Sequence, residues 1–255
     1  MIPKNIFQVW VGPSDAIPCY GATSQASIAK YMPSWTYKFW KTDELDHFVA
    51  TEFPDMLEIY RGYPYDIQRA DAARPMLLKK YGGLYLDLHF ELLAPLDELF
   101  VAGNEAYFLA SQNTSVGLLS NSLMAAVPNA PVLEAYLLEM QCPAPWWACW
   151  SKHLVVYSTT GPMALTKAVH KSGRVYGALP VRRITPCSTC NLECDATGLM
   201  RQMPGKLWHK WDSSLFLFVQ CHPFWFMLIV VVLLFAIGYI IKACLRYSRS
   251  RSSAT

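Results

Sequence analysis

Residues 66–93 read DIQRADAARPMLLKKYGGLYLDLHFELL, and this stretch decides the fold. Asp66 is a candidate helix cap, Lys79 and Lys80 suit a last turn, and Gly82-Gly83 ends the run, so the spacing predicts a helix over 66–81. Pro75 interrupts that pattern and is expected to kink the helix or free a carbonyl. From Leu84 onward the pattern changes to period two and predicts a strand. Leu84, Leu86, Leu88 and Phe90 then share the buried face, and Asp87, His89 and Glu91 share the other. A helix passing through a glycine break into a strand is a building unit of an α/β sheet.

The flanking segments extend that unit. IPKNIFQVWVG at 2–12 alternates apolar residues and predicts a first strand that opens onto a loop at Gly12-Pro13. Residues 22–31 suit a helix. SWTYKFWKTDELDHFVATEFP at 34–54 gives an aromatic strand, then a helix capped by Thr42 with Asp43 and Glu44 in its first turn. Residues 121–140 are expected to be helical, VVYSTTGP at 155–162 a strand running into a turn, and 163–171 a helix. Residues 174–214 are loop-rich with short strands. The order predicts an α/β domain with a mostly parallel or mixed sheet over residues 1–214.

The chain has 255 residues, 53% of them apolar and 16% charged, which suits a sizeable core and excludes disorder. A net charge of +3, with no dense basic stripe in the domain, excludes nucleic acid as a partner. Phe224 to Ile241, FWFMLIVVVLLFAIGYII, carries no charge and spans roughly 27 Å as a helix, enough to cross a bilayer. It follows a linker at 215–223 and precedes a basic tail at 242–255 that holds Lys242, Arg246, Arg249 and Arg251. A single-pass, C-terminally anchored endomembrane protein is the expectation. No leader is visible at Met1, and an anchor emerging this late favours insertion after synthesis with a cytosolic domain. The tail cations favour the opposite, with the tail in the cytosol; the first argument sets the expectation. Among eight cysteines only Cys187, Cys190 and Cys194 cluster, and they are expected to be free thiols rather than a zinc site.

Two patterns carry chemistry. Asp87 and His89, two residues apart on one strand face, present a carboxylate and an imidazole to one divalent cation of the Mn²⁺ type. Such an ion can neutralise a diphosphate leaving group. Asp71 and Arg74, at i and i+3, share a helical face and can reach the same pocket across the glycine break. A metal-dependent hydrolase would need further His or Asp ligands in a compact motif, and the sequence has none.

Residues 70–97, ADAARPMLLKKYGGLYLDLHFELLAPLD, resemble glycosyltransferase family 32, which includes Och1-like and inositol phosphoceramide mannosyltransferases. IPKNIFQVWVG, MPSWTYKFW at 32–40, STTGPMALTKAV at 158–169 and LWHKWDSS at 207–214 resemble further segments of that family in order. The resemblance implies a GT-A fold, a Rossmann-like mixed sheet flanked by helices, and a retaining hexosyltransferase. It implies GDP-mannose as the nucleotide-sugar donor, Mn²⁺ or Mg²⁺ as cofactor, and a lipid or membrane-held glycan acceptor such as an inositol phosphoceramide head group. It assigns Asp71 and Arg74 to donor-sugar hydroxyls, Asp87 to ribose, sugar and metal, and His89 to the metal. Val9 and Trp10 are assigned to the base pocket, and His209 with Ser213 or Ser214 to the diphosphate or the metal. The sequence departs from the family pattern at His89, where a second Asp is usual, and at Phe7, Pro75 and Leu215. Those departures motivate a second reading, a weakly active or non-catalytic membrane-anchored binding protein on a decayed transferase fold.

Overall fold

The computed structural model describes residues 1–12, 17–101, 103–110, 117–185, 198–203 and 211–252. It divides into two compact units, Met1–Trp208 and His209–Thr255.

The first unit is built on a six-stranded mixed sheet. Its strands are β1 (Asn5–Trp10), β2 (Thr36–Lys41), β3 (Gly83–Leu86), β5 (Ala106–Ala110), β6 (Leu119–Ala126) and β7 (Gly177–Leu179), in the order β2-β1-β3-β6-β5-β7. β1 runs parallel to β2 and β3, while β6 is antiparallel to both β3 and β5. A short second ribbon pairs β4 (Phe90–Leu92) with β8 (Met200–Gln202). The helices are α1 (Cys19–Tyr31), α2 (Thr42–Glu52), α3 (Leu57–Gly62), α4 (Asp66–Tyr81), α5 (Pro131–Glu139), α6 (Lys152–Thr159), α7 (Pro162–Ser172) and α8 (Val181–Ile184). One core packs α2, α4, α5 and α7 against the sheet through Leu45, Met76, Leu77, Leu133 and Leu165. A second core, around Ile28, Leu86, Phe90 and Leu123, fills the other face. This is the helix-flanked mixed sheet of the GT-A expectation.

Helix α4 is the spine of the first core. Met76, Leu77 and Leu78 are fully buried, each contributing about 2 kcal/mol through apolar burial. The helix continues through Pro75, which lacks the amide that would bond the Asp71 carbonyl. Gly82 ends it with a positive φ of 62°, donating its amide to the Leu78 carbonyl. Gly83 has φ 121°, and a Cβ there would lie 2.4 Å from the Asn5 carbonyl oxygen, because β3 starts hard against β1. Gly83→Ala is therefore expected to destabilise the fold by about 3 kcal/mol or more, since both the dihedral and the space exclude a side chain. Thermal unfolding of the purified full chain measures it.

Within the first unit the secondary-structure expectation fails at four places. The strand expected from Leu84 through Leu93 breaks at Asp87: β3 ends in the six-stranded sheet and β4 begins in the ribbon. The Asp87 amide makes the last ladder bond, to the Ser122 carbonyl at 2.9 Å, and the Phe90 amide turns back to the Asp87 carbonyl at 3.1 Å. Residues 121–140 are not one helix but β6, a turn through Asn129 at φ 55°, and α5 starting at Pro131. Residues 155–159 are helical, within α6, because Ser151 caps that helix by accepting the Leu154 amide at 3.2 Å. Thr42 does not cap α2; its hydroxyl faces the Gly12 backbone, and Glu44 accepts the Lys41 amide at 3.2 Å.

The C-terminal unit holds α9 (Trp211–Cys221) and α10 (Pro223–Ser252). Residues expected as linker continue α9, and the boundary between units falls at Trp208/His209 rather than after 214. Within α10, Pro223–Lys242 is long and apolar enough to cross a membrane, with mean hydropathy 2.9 and none of it buried. Cys19, Cys142 and Cys149 are free thiols. Cys187, Cys190 and Cys194 lie outside the described residues. Cys221 is in a disulfide, which the sequence reading did not anticipate.

Candidate active site

The C-terminal ends of β1 and β3 open at the same edge of the sheet, where open α/β sheets bind ligands. Asp87 closes β3 there. Its carbonyl lies 3.5 Å from the Gln8 side-chain amide, and Gln8 is itself fixed by Ser24 at 2.9 Å and by the Tyr37 hydroxyl at 2.9 Å. The turn that follows carries His89, whose carbonyl accepts the Met203 amide at 2.7 Å.

Asp71 and Arg74 approach from α4, as their spacing predicts. Both are buried, at 3% and 5% exposure. Arg74 Nη1 lies 3.0 Å from Asp71 Oδ1, and Nη2 lies 3.0 Å from Asp87 Oδ1. One guanidinium thus joins the helix carboxylate to the strand carboxylate. The Asn121 carbonyl accepts from Arg74 Nη1 at 3.1 Å, and the Tyr85 ring lies 4.8 Å beneath the guanidinium. Arg74 Nε is buried with no hydrogen-bond partner among the described residues.

Three partners were not singled out from sequence. The Asn121 side-chain amide donates to Asp71 Oδ1 at 3.1 Å, and the Thr160 hydroxyl donates to Asp71 Oδ2 at 3.0 Å. The Tyr85 hydroxyl donates to Asp87 Oδ1 at 2.5 Å. Asn121 stands between Ser120 and Ser122, and no local sequence signal singled it out.

Burial drives the Asp71 carboxyl up to about 6, against Arg74, Thr160 and Asn121, which pull it down. The charges of Asp87 and Asp71 hold the Arg74 guanidinium protonated despite its burial. Burial lowers the His89 imidazole, with Asp87 opposing, so the ring is neutral at pH 7 and keeps a lone pair. The sign for Asp71 is then fixed. The fold holds this proton more tightly than the unfolded chain does. The associated stability is complete below about 4 and is lost as pH rises through about 6. Binding follows the opposite course, because the ionised carboxylate is the form that accepts from Thr160 and Asn121. Donor affinity is expected to fall as pH drops through about 6 while the fold does not weaken; titration calorimetry beside thermal melts at each pH measures both.

Asp87 and His89 converge on one turn, with Asp87 Oδ2 3.6 Å from His89 Nδ1. The donor set fits a divalent cation as two protein ligands, one oxygen and one nitrogen, leaving the rest of the coordination to solvent and a diphosphate. No group of three or more His, Cys, Asp or Glu able to hold a metal occurs among the described residues. Glu91, expected on the same face, instead pairs with Arg201 across the ribbon. Trp10 closes β1 with its indole beside Gly12, but Val9 is in the core and offers a ligand only its backbone. Phe7, where the family pattern has His, packs in the same core. Ser213 and Ser214 lie in the first turn of α9 in the C-terminal unit, and His209 is outside the described residues.

This geometry agrees with what the chain is similar to. The family described as glycosyltransferase sugar-binding region containing DXD motif is matched over residues 18–106. Inositol phosphoceramide mannosyltransferase 3 of Schizosaccharomyces pombe is 30% identical over 98% of this chain and 69% of its own length. The mannosyl phosphorylinositol ceramide synthase SUR1 of Saccharomyces cerevisiae is 28% identical, over 87% of this chain and 56% of that protein. Among solved structures, PaToxG glycosyltransferase is similar at 16% identity and TM-score 0.48, over 67% of this chain and 70% of that one. The chain is a glycosyltransferase and belongs to the DXD-containing sugar-transferase family that includes the inositol phosphoceramide mannosyltransferases. Within that family its motif is the variant Asp87-Leu88-His89.

Proposed function

We propose that this protein transfers mannose, with retention of configuration, from GDP-mannose to the head group of a membrane-held inositol phosphoceramide. The observation that carries this reading is the buried Asp71–Arg74–Asp87 chain, joined to a relative that shares nearly the whole length of the chain. Asp71 and Arg74 hold hydroxyls of the donor sugar, and Trp10 with the Val9 backbone borders the base. Asp87 and His89 hold Mn²⁺ or Mg²⁺, which when bound offsets charge on the diphosphate. His209, Ser213 and Ser214 keep a diphosphate role in this reading from the family resemblance alone.

Both site carboxylates are already engaged. Asp71 accepts from Asn121, Thr160 and Arg74, and Asp87 from Arg74 and Tyr85. Such carboxylates are better placed to orient hydroxyls than to attack carbon. A same-face displacement follows, in which the bond from the anomeric carbon to phosphate oxygen breaks as the bond to the acceptor oxygen forms. The departing diphosphate takes the acceptor proton. The protein positions the reactants and excludes water.

Membrane side is part of the proposal. The disulfide at Cys221 stands just before α10 and suits an oxidising compartment. The cationic tail beyond α10 suits the cytosol. Together they favour an endomembrane lumen for the catalytic unit, against the cytosolic expectation from the late anchor. The test is the full chain in detergent with Mn²⁺, a panel of sugar nucleotides and inositol phosphoceramide. Mannosylated lipid formed from GDP-mannose supports the reading; a chain that neither binds nor hydrolyses any donor sinks it and favours the binding-protein alternative.

A further inference from the structure

The connection from α5 to α6 carries Pro145-Trp146-Trp147-Ala148-Cys149-Trp150. It is a fixed turn. The Ala148 amide bonds the Pro145 carbonyl at 2.8 Å, the Ser151 amide bonds the Ala148 carbonyl at 3.1 Å, and Ala148 and Ser151 are buried. The tryptophans point outward nonetheless, with Trp146 87%, Trp147 37% and Trp150 62% exposed. Their indole N–H groups make no hydrogen bond among the described residues. Burying three indoles in water-excluded surroundings is worth several kcal/mol, so leaving them in water is unfavourable unless something covers them.

We infer that Trp146, Trp147 and Trp150 seat the catalytic unit on the interfacial layer of an anionic bilayer. Three observations choose that occupant. The same chain carries a helix long and apolar enough to cross a membrane, which would tether this unit near a bilayer. Tryptophan, apolar in body with one polar N–H, is the side chain that favours the head-group boundary. The local charge is complementary: residues 140–176 contain no Asp or Glu and include Lys152, Lys167, Lys171 and Arg174. Glu139 engages Lys167 and Lys171 and leaves the excess positive.

The position gives the contact a use, which rests on the lipid-acceptor reading above. α6 begins at Lys152 and ends at Thr159, beside the Thr160 that bonds Asp71. Its length is about 12 Å, so a bilayer meeting the tryptophans lies one short helix from the sugar site. A head group projecting from that surface is brought toward the site without extraction of its lipid.

The test uses the full chain in nanodiscs of phosphatidylcholine and phosphatidylserine, with ordinary or brominated acyl chains. Wild type is compared with the triple variant Trp146→Phe, Trp147→Phe, Trp150→Phe, whose thermal melt confirms folding. The difference spectrum isolates these three indoles and cancels Trp225 in α10. Brominated lipid is expected to remove roughly half or more of that difference emission, as it does for indoles at the interface. An undiminished difference spectrum overturns the inference. So does a blue shift of these indoles that appears in detergent with rising protein concentration and is insensitive to bromine, which would assign the turn to a second copy. Transfer to the nanodisc-held lipid is read separately. Quenching without any transfer in wild type would count against the lipid-acceptor reading and leave the membrane contact standing.

Discussion

Replacing Arg74 with Met is expected to cost about 3–5 kcal/mol of stability and to remove measurable transfer, because it leaves Asp71 as an uncompensated buried charge. Asp71 is 3% exposed, and loss of the guanidinium also strips Asp87 of its cation. Removing one partner of a buried pair is worse than removing both. Asp71→Asn combined with Arg74→Met should recover most of the lost stability, since Thr160 and Asn121 can still bond an amide or rotate to suit it. Transfer should not return with it, because the sugar has then lost both an acceptor and a donor. Chemical unfolding of the two single variants and the double variant, beside a transfer assay, reads the cycle. Equal stability loss in Arg74→Met and the double variant would show that Asp71 does not depend on Arg74.

Asp87→Asn is expected to lower turnover by about 10²–10³-fold at nearly unchanged stability. The amide keeps the shape of the carboxylate and can still accept from Arg74 and Tyr85, while the charge facing the turn is gone. Several kcal/mol of charge stabilisation at the diphosphate disappear with it. Mn²⁺ titration in the presence of GDP should show weaker binding by the variant than by wild type. His89→Asp is the matching control. It exchanges a nitrogen ligand for a harder oxygen and adds negative charge, so Mn²⁺ or Mg²⁺ affinity should rise and turnover should stay within about tenfold. Unchanged metal binding in both variants would remove Asp87 and His89 from the ligand set.

The parts of this protein that local patterns encode could be read without coordinates. Helix α4, its glycine stop and the Asp71–Arg74 face follow from spacing over a few residues. So does the existence of β3. The far side of the site follows from no local spacing. Asn121 meets Asp71 across 50 positions of sequence, and Thr160 meets it across 89. β6 is continuously buried from Leu123 to Ala126, and its apolar residues LMAA run on toward Pro128 and α5 without alternation, so the stretch reads as one helix. Val155, Val156 and Tyr157 favour strands intrinsically, but the Ser151 cap starts a helix that carries them instead. The break at Asp87 comes from long-range pairing, because β4 finds its partner in β8, more than a hundred residues on.

The single guanidinium between two carboxylates has a consequence for the order of assembly. Asp71, Arg74 and Asp87 together carry one negative charge, and a neutral His89 adds none. A second Asp in place of His89 would make the pocket doubly negative and a stronger trap for a free divalent ion. With the imidazole, an ion alone would meet weaker attraction and two protein ligands among the described residues, and the nucleotide diphosphate would supply further ligands. On the proposed reading, cation and sugar nucleotide are expected to bind cooperatively, each raising the other's affinity by the same factor.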